Sequence, residues 1–213
     1  PHERNRKYKY RQMKAAVYKK YGPPEVVRIT EAERPSPGSG ELLVKVYATT
    51  VNRTDCGFRS AGYFVSRLFS GLFRPKFRIL GNEFAGVIEA VGDNVSLFNV
   101  GDRVFGYNDT KFGAHAEYMT IAETDAITTM PDDLTFEQAE PITEGANYAM
   151  CDIRAAKIKS GQDFMTYGAS GAIGSAAVQL SKYLGANVTA VCNTQYVEAV
   201  RSLGADHVID YLT

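Results

Sequence analysis

The stretch DFMTYGASGAIG, residues 163–174, constrains this chain more than any other. A run of strand-forming residues, 163–167, passes into Gly168-x-x-Gly171-x-x-Gly174. A helical pattern follows, with Ile173, Ala177, Leu180 and Leu184 along one stripe and Gly185 closing it. A second strand (NVTAVC, 187–192), a second helix (TQYVEAVRSLG, 194–204) and a third strand (HVIDY, 207–211) complete a βαβαβ series. That order is the first half of a doubly wound dinucleotide fold.

Within such a turn each glycine has a task. Gly168 permits the sharp exit from the strand, Gly171 lets the main chain approach a pyrophosphate, and Gly174 lets the helix lie close to the sheet. The helix N-terminus then offers free N–H groups and a partial positive charge to the phosphates. Glycines alone also serve plain structural turns; the strand before, the helix after and the βαβ series beyond favour a nucleotide. The expected cofactor-binding residues are Gly168, Ser170, Gly171, Ala172, Ile173 and Gly174, with Asn193 and Thr194 at the tip of the second strand. An NAD-specific site places Asp or Glu at that tip, on the ribose 2′-hydroxyl. Here the tip is neutral, so nothing repels a 2′-phosphate and the expectation leans to NADPH over NADH. No Arg sits at the tip itself; Arg201 lies further along, in the next helix.

The first half of the chain has a different texture, in which short apolar runs are broken by turn residues. In ELLVKVYAT (41–49) the residues Leu42, Val44, Val46 and Ala48 alternate with Leu43, Lys45, Tyr47 and Thr49, the period of a strand. FAGVIEAVG (84–92), RVFGY (103–107) and HAEYMTI (115–121) follow, punctuated by Gly92-Asp93-Asn94 and Gly101-Asp102, as in a curled antiparallel sheet. Residues 53–79 show no period and predict a long loop over a site. Residues 132–140 open with capping-type acids, and 145–158 have helical composition.

Composition excludes several classes. With 24 Lys+Arg against 24 Asp+Glu there is no cationic excess for a nucleic-acid partner. Three separated cysteines form no disulfide framework or metal knuckle. No apolar run is long enough to span a bilayer, and the expectation is a cytoplasmic protein with no membrane partner. Residues 1–12 carry Arg4, Arg6, Lys7, Lys9 and Arg11 against Glu3, and are most simply a leader or tag remnant ahead of Met13, the other reading being a targeting or anion-binding arm.

Taken together, MKAAVYKKYGPPEVVRI (13–29), VNRTDCGFRSAGY (51–63), ILGNEFAGVIEAVG (79–92), VGDRVFG (100–106), GAHAEYM (113–119), YGASGAIGSAAVQLSKYLGA (167–186) and SLGADHVIDY (202–211) resemble the zinc-independent quinone oxidoreductase-like branch of the medium-chain dehydrogenase/reductase superfamily. The resemblance runs from Met13 to the last residue. It implies a GroES-like β-rich N-terminal domain (13–131), a connecting helical region (132–159) and a Rossmann domain holding NADPH (160–213), with a substrate cleft between the domains. Relatives with catalytic zinc carry Cys, His and Cys where this chain has Asn52, Asn82 and Glu144; amides are poor zinc ligands, so no metal is expected. Hydride delivery to an already activated acceptor, a quinone or an α,β-unsaturated carbonyl, is then the implied chemistry, with an enoyl thioester as alternative acceptor. The candidate catalytic residues by resemblance are Asn52, Tyr63 and Tyr148. Asp55 and Arg59 also belong to the implied cleft and are read first as an ion pair holding the loop. Tyr211 matches a position near the adenosine phosphate. His115 is read as structural, and His207 as the start of a buried strand.

About fifty residues follow Ser160, and at ~30 residues per βαβ unit they supply only the first half of a Rossmann fold. The expectation is either a fragment of a longer enzyme or a truncated product that homo-oligomerises through open sheet edges and need not catalyse by itself, serving as a nucleotide-binding or structural protein.

Overall fold

The computed structural model describes residues 12–62 and 64–213. The leader expected at 1–12 lies, but for Gln12, outside the described residues, as does Tyr63. Contacts divide the chain into two units, one ending at Pro141 and one running from Ile142 to Thr213.

In the first unit, β1 (Gln12–Val17) pairs antiparallel with β2 (Arg28–Glu33). A larger antiparallel sheet takes the order β6-β3-β4-β5-β7, from β3 (Glu41–Ala48), β4 (Glu83–Val91), β5 (Arg103–Tyr107), β6 (Tyr118–Ala122) and β7 (Ile127–Thr129). Period-2 alternation builds the core as expected: Leu42 and Val44 pack with Phe84, Ile88, Val104 and Ile121. Leu43, assigned to the opposite face, is buried too. The β3–β4 pairing shifts register at Leu43/Val44 and again at Val46/Ala48, the irregularity that bends a sheet. Gly86 sits opposite Val46, and the space its missing side chain leaves is filled by the Lys45 carbonyl and by Val44 Cγ1.

Residues 53–79 are not the expected long loop. They hold α1 (Arg53–Ser60) and α2 (Phe64–Ser70). No periodic stripe betrays α1 because its one buried residue is the polar Asp55; a capping box, not an apolar face, starts it. α3 (Phe136–Ala139) begins on a second capping box, Thr135 with Gln138, and its Phe136 ring stacks on Tyr47 at 4.8 Å.

The second unit contains α4 (Thr143–Ala156), β8 (Asp163–Tyr167), α5 (Ala172–Tyr183), β9 (Asn187–Cys192), α6 (Val197–Ser202) and β10 (His207–Asp210). Its strands are parallel in the order β10-β9-β8, the arrangement of a partial Rossmann fold. The stripe read on α5 is corrected. The buried residues are Gly174, Ala177, Val178 and Ser181, whereas Ile173 and Leu184 are exposed. At its start the helix lies too close to Gly168 and Ala169 for any side chain at Gly174. The second helix is shorter than expected, with a 3₁₀ turn over Thr194–Tyr196 ahead of α6. β10 is an edge strand on which His207 is exposed, so that residue does not begin a buried strand.

The helices α5 and α6 cover one sheet face, where Val178 and Val200 pack on Val188, Ala190 and Cys192. On the other face Met165 and Tyr167 are exposed, as are Ile209 and Tyr211 beyond them.

Replacing Gly86 by Ala is expected to force the β3–β4 pair apart and cost ~1–3 kcal/mol, the usual range for overpacking. Urea unfolding of both proteins checks this through a lower midpoint at unchanged slope.

Candidate active and cofactor sites

Asn52 is the N-cap of α1. Its Oδ1 accepts from the backbone N–H of Thr54 (2.9 Å) and of Asp55 (3.3 Å), and its own N–H donates to Asp55 Oδ2 (3.1 Å). Its Nδ2 donates to Asn82 Oδ1 (2.7 Å) and to Glu83 Oε2 (3.2 Å). Both ends of the carboxamide are thus engaged within the protein, which gives Asn52 a structural role. Asn82 is fully buried, and its Nδ2 has no hydrogen-bond partner. The buried Glu83 is also held by Thr50, whose hydroxyl donates to Oε2 at 2.6 Å.

A second buried carboxyl, Glu140, belongs to this neighbourhood, and the sequence reading missed it. Burial first, and the charge of Glu83 second, push its pKa from 4.5 up to about 7, against the stabilising bonds from Thr50. The only prior signal was an acid just before Pro141, where a helix start makes acids ordinary.

Asp55 does not pair with Arg59. Its Oδ1 accepts from Gly81 N–H (2.8 Å), and its Oδ2 lies 3.7 Å from His115 Nε2. Arg59 makes no ion pair among the described residues, and its buried Nε has no hydrogen-bond partner. His115 precedes β6 and is not on the strand; Nε2 donates to the Thr50 carbonyl (2.8 Å), which fixes that tautomer. These groups border a cavity of about 710 Å³, with Val46, Val51 and Leu80 as apolar wall and Asp55, Arg59 and His115 as polar positions. Of the residues expected on the substrate side, Tyr63 lies outside the described residues. Tyr148 and Glu144 stand on α4 in the second unit, Tyr148 partly exposed.

At the two positions of the first unit where zinc-binding relatives carry ligands, the Asn52 oxygen caps a helix and the Asn82 oxygen accepts from Asn52. Among the described residues, no group of three or more His, Cys, Asp and Glu could hold a metal.

In the second unit, Gly168 has φ of +78°, a left-handed conformation suited to glycine. A Cβ on Gly174 would run into the Gly168 carbonyl and lie 2.8 Å from Ala169 Cα, so only glycine lets α5 start this close to β8. Gly171 is different: its Cβ would meet only Gly168 O, at an ordinary 3.5 Å. The protein does not need that glycine for its own packing, which fits a position kept bare for a ligand. Gly171 is also the N-cap of α5 and supplies no side-chain cap, leaving the first N–H groups to an anion. At the tip of β9 the Oδ1 of Asn193 is buried with no hydrogen-bond partner. Tyr211 is tied to the same tip, its N–H donating to the Cys192 carbonyl (3.1 Å), and its ring stacks on Tyr167 at 6.0 Å. Arg201 is paired with Glu198 on α6. These residues fit the adenosine and pyrophosphate end of a dinucleotide.

A curled antiparallel unit followed by a parallel β-α-β unit with a bare glycine turn defines a nucleotide-dependent dehydrogenase architecture. Residues 38–132 match the alcohol dehydrogenase GroES-like domain. The chain is 34% identical over 187 residues to quinone oxidoreductase of Homo sapiens, an alignment covering 86% of this chain and 54% of that protein. With the mitochondrial NAD(P)H oxidoreductase RTN4IP1 of Homo sapiens it shares 34% identity, over 93% of this chain and 54% of that protein. Among solved structures, the quinone oxidoreductase from Coxiella burnetii superposes with a TM-score of 0.85 at 27% identity, covering 95% of this chain and 63% of that one. CurK enoyl reductase superposes with a TM-score of 0.84 at 25% identity, over 95% and 61% of the two chains. These likenesses support a quinone oxidoreductase-like member of the medium-chain dehydrogenase/reductase superfamily. It spans about half the length of the curated relatives it matches.

The folded protein holds the Glu140 proton to higher pH than an unfolded chain does, so this residue costs stability as pH rises from about 4.5 to about 7. Replacing Glu140 by Gln is expected to leave stability below that window little changed and to raise it above, by on the order of 3 kcal/mol. Unfolding midpoints of the two proteins across the pH range check the sign.

Proposed function

We propose that the chain is part of an NADPH-dependent oxidoreductase that delivers hydride to a quinone or an α,β-unsaturated carbonyl without zinc. The observation that supports the zinc-free part of this reading is the Asn52–Asn82 amide pair, in which the Asn52 oxygen caps α1 and the Asn82 oxygen accepts from Asn52 Nδ2. Lacking a metal ion to polarise a ketone or alcohol, the protein needs an acceptor that is already electron-poor. The nicotinamide cofactor supplies the hydride. The chain's own residues bind and orient. The α5 N-terminus takes the pyrophosphate, Asn193 offers its amide to the adenosine ribose or its phosphate, and Tyr211 flanks the same end. In the first unit, the apolar walls of the 710 Å³ cavity suit a planar ring. Arg59, which borders the same cavity, is the group we assign to stabilise negative charge developing on a reduced oxygen, while His115, with Nε2–H given to Thr50, holds the wall in place. The organisation we assign is a substrate-side domain over 13–131, a connecting region over 132–159 and a cofactor domain over 160–213, in a cytoplasmic homo-oligomer.

An enoyl thioester as acceptor is the second reading, favoured by the likeness to CurK enoyl reductase. Side-by-side assays of NADPH oxidation with a simple quinone and with a short enoyl thioester separate the two.

Two outcomes are expected. Quinone-dependent NADPH oxidation should survive exhaustive chelation, with zinc well below one per chain by elemental analysis; loss of the activity on chelation and its return with zinc would refute the zinc-free reading. Replacing Asn193 by Asp should weaken NADPH binding about tenfold or more while sparing NADH, because a carboxylate repels the 2′-phosphate. Unchanged NADPH affinity in calorimetric titration would show that another position selects the cofactor.

A further inference from the structure

Residues 56–82 contain Arg59, Arg67, Arg74, Lys76 and Arg78 and no Asp or Glu. Within them lies the densest run of exposed apolar side chains in the described first unit: Val65, Leu68, Phe69, Leu72 and Phe73, the last 88% exposed. Monomeric soluble proteins seldom leave large apolar groups contiguous in this way without a partner. The run is not loosely held. Tyr21 bonds Ser70 (2.9 Å) and the Gly71 carbonyl, and Arg67 donates to the Ala61 carbonyl (3.3 Å) while lying over the Tyr21 ring. Lys76 N–H closes a turn on the Ser70 carbonyl at 2.7 Å, and Gly71 at φ +115° makes that turn possible. The backbone is therefore braced from behind while Leu72, Phe73 and Arg74 project from the tip.

Phe73 and Arg74 share a groove of about 560 Å³ with Lys19, Lys20 and Arg28. Lys19, Lys20 and Arg74 make no ion pair among the described residues, and Arg28 donates to the carbonyls of Glu25 and Val27. An apolar wedge rimmed by cations matches a surface that is anionic outside and apolar just beneath.

We infer that the Leu72–Arg74 turn, with Phe69 behind it and Lys19, Lys20 and Arg28 beside it, docks the protein on an anionic phospholipid bilayer. Phe73 and Leu72 enter the acyl boundary and the four cations meet lipid phosphates. The sequence expectation of no membrane partner rested on the lack of a spanning segment, and interfacial docking needs none. This inference is independent of which acceptor the protein reduces.

The test is co-sedimentation of the full chain with vesicles of phosphatidylcholine alone and of phosphatidylcholine with phosphatidylserine. Binding is expected to the mixed vesicles only, and to fall steeply with added salt. Lys20→Gln and Arg74→Gln should each weaken it about fivefold, as expected for one interfacial cation. Leu72→Ser with Phe73→Ser should weaken it at least tenfold at low salt; all these side chains are exposed, and circular dichroism confirms that the variants fold. Failure to sediment with mixed vesicles overturns the proposal. So does binding indifferent to salt and to the charge variants, or binding untouched by the double serine variant. Self-association without vesicles that the double serine variant abolishes would assign the wedge to a second copy of the chain and equally overturn it.

Discussion

The Asn52 carboxamide uses both of its ends, and the first unit is organised around that fact. Its oxygen starts α1, while its nitrogen reaches Asn82 and Glu83 at the entry to β4. The same turn sets Asp55, whose buried carboxylate holds Gly81 on one oxygen and approaches His115 with the other. Helix, sheet entry and the loop before β6 are thereby joined through one polar node inside an otherwise apolar unit. Such a node is sensitive because an interior offers no water to replace a lost partner. Glu140 lies in the same neighbourhood as the buried Glu83, and burial together with the Glu83 charge raises its pKa.

Much of the architecture was legible because its signals are periodic or local. Alternation gave the β3 core residues Leu42 and Val44, and the glycine turn with its flanking strands gave the parallel unit. The misreadings share a cause, namely that tertiary placement outweighed pattern. α1 buries an aspartate, so it has no apolar stripe to find, although Asn52-x-x-Asp55 is a readable capping signal. On α5 the large residues Ile173 and Leu184 looked like the inner face, but the buried residues are Gly174, Ala177, Val178 and Ser181. The Asp55–Arg59 pair looked natural at helical spacing, and was defeated by backbone and histidine partners outside the helix. Glu140 gave no local sign, since its character comes first from tertiary burial and then from the charge of Glu83, far away in sequence.

On the nucleotide side the three turn glycines are not equivalent. Gly168 is conformational and Gly174 is steric, so both are demanded by the protein's own backbone. Gly171 answers to neither demand, and it is this freedom that points outward to a ligand. A glycine motif becomes informative when its members are separated in this way.

Cys192, the last residue of β9, is buried, and burial together with the nearby Asp210 charge pushes its thiol up. Only the thiolate reacts readily, so alkylation must wait for the strand to open. Cys56 and Cys151 are exposed by contrast. The three cysteines therefore form an internal clock: two modified at once register the amount of protein, and the third records how often the centre of the parallel sheet breathes.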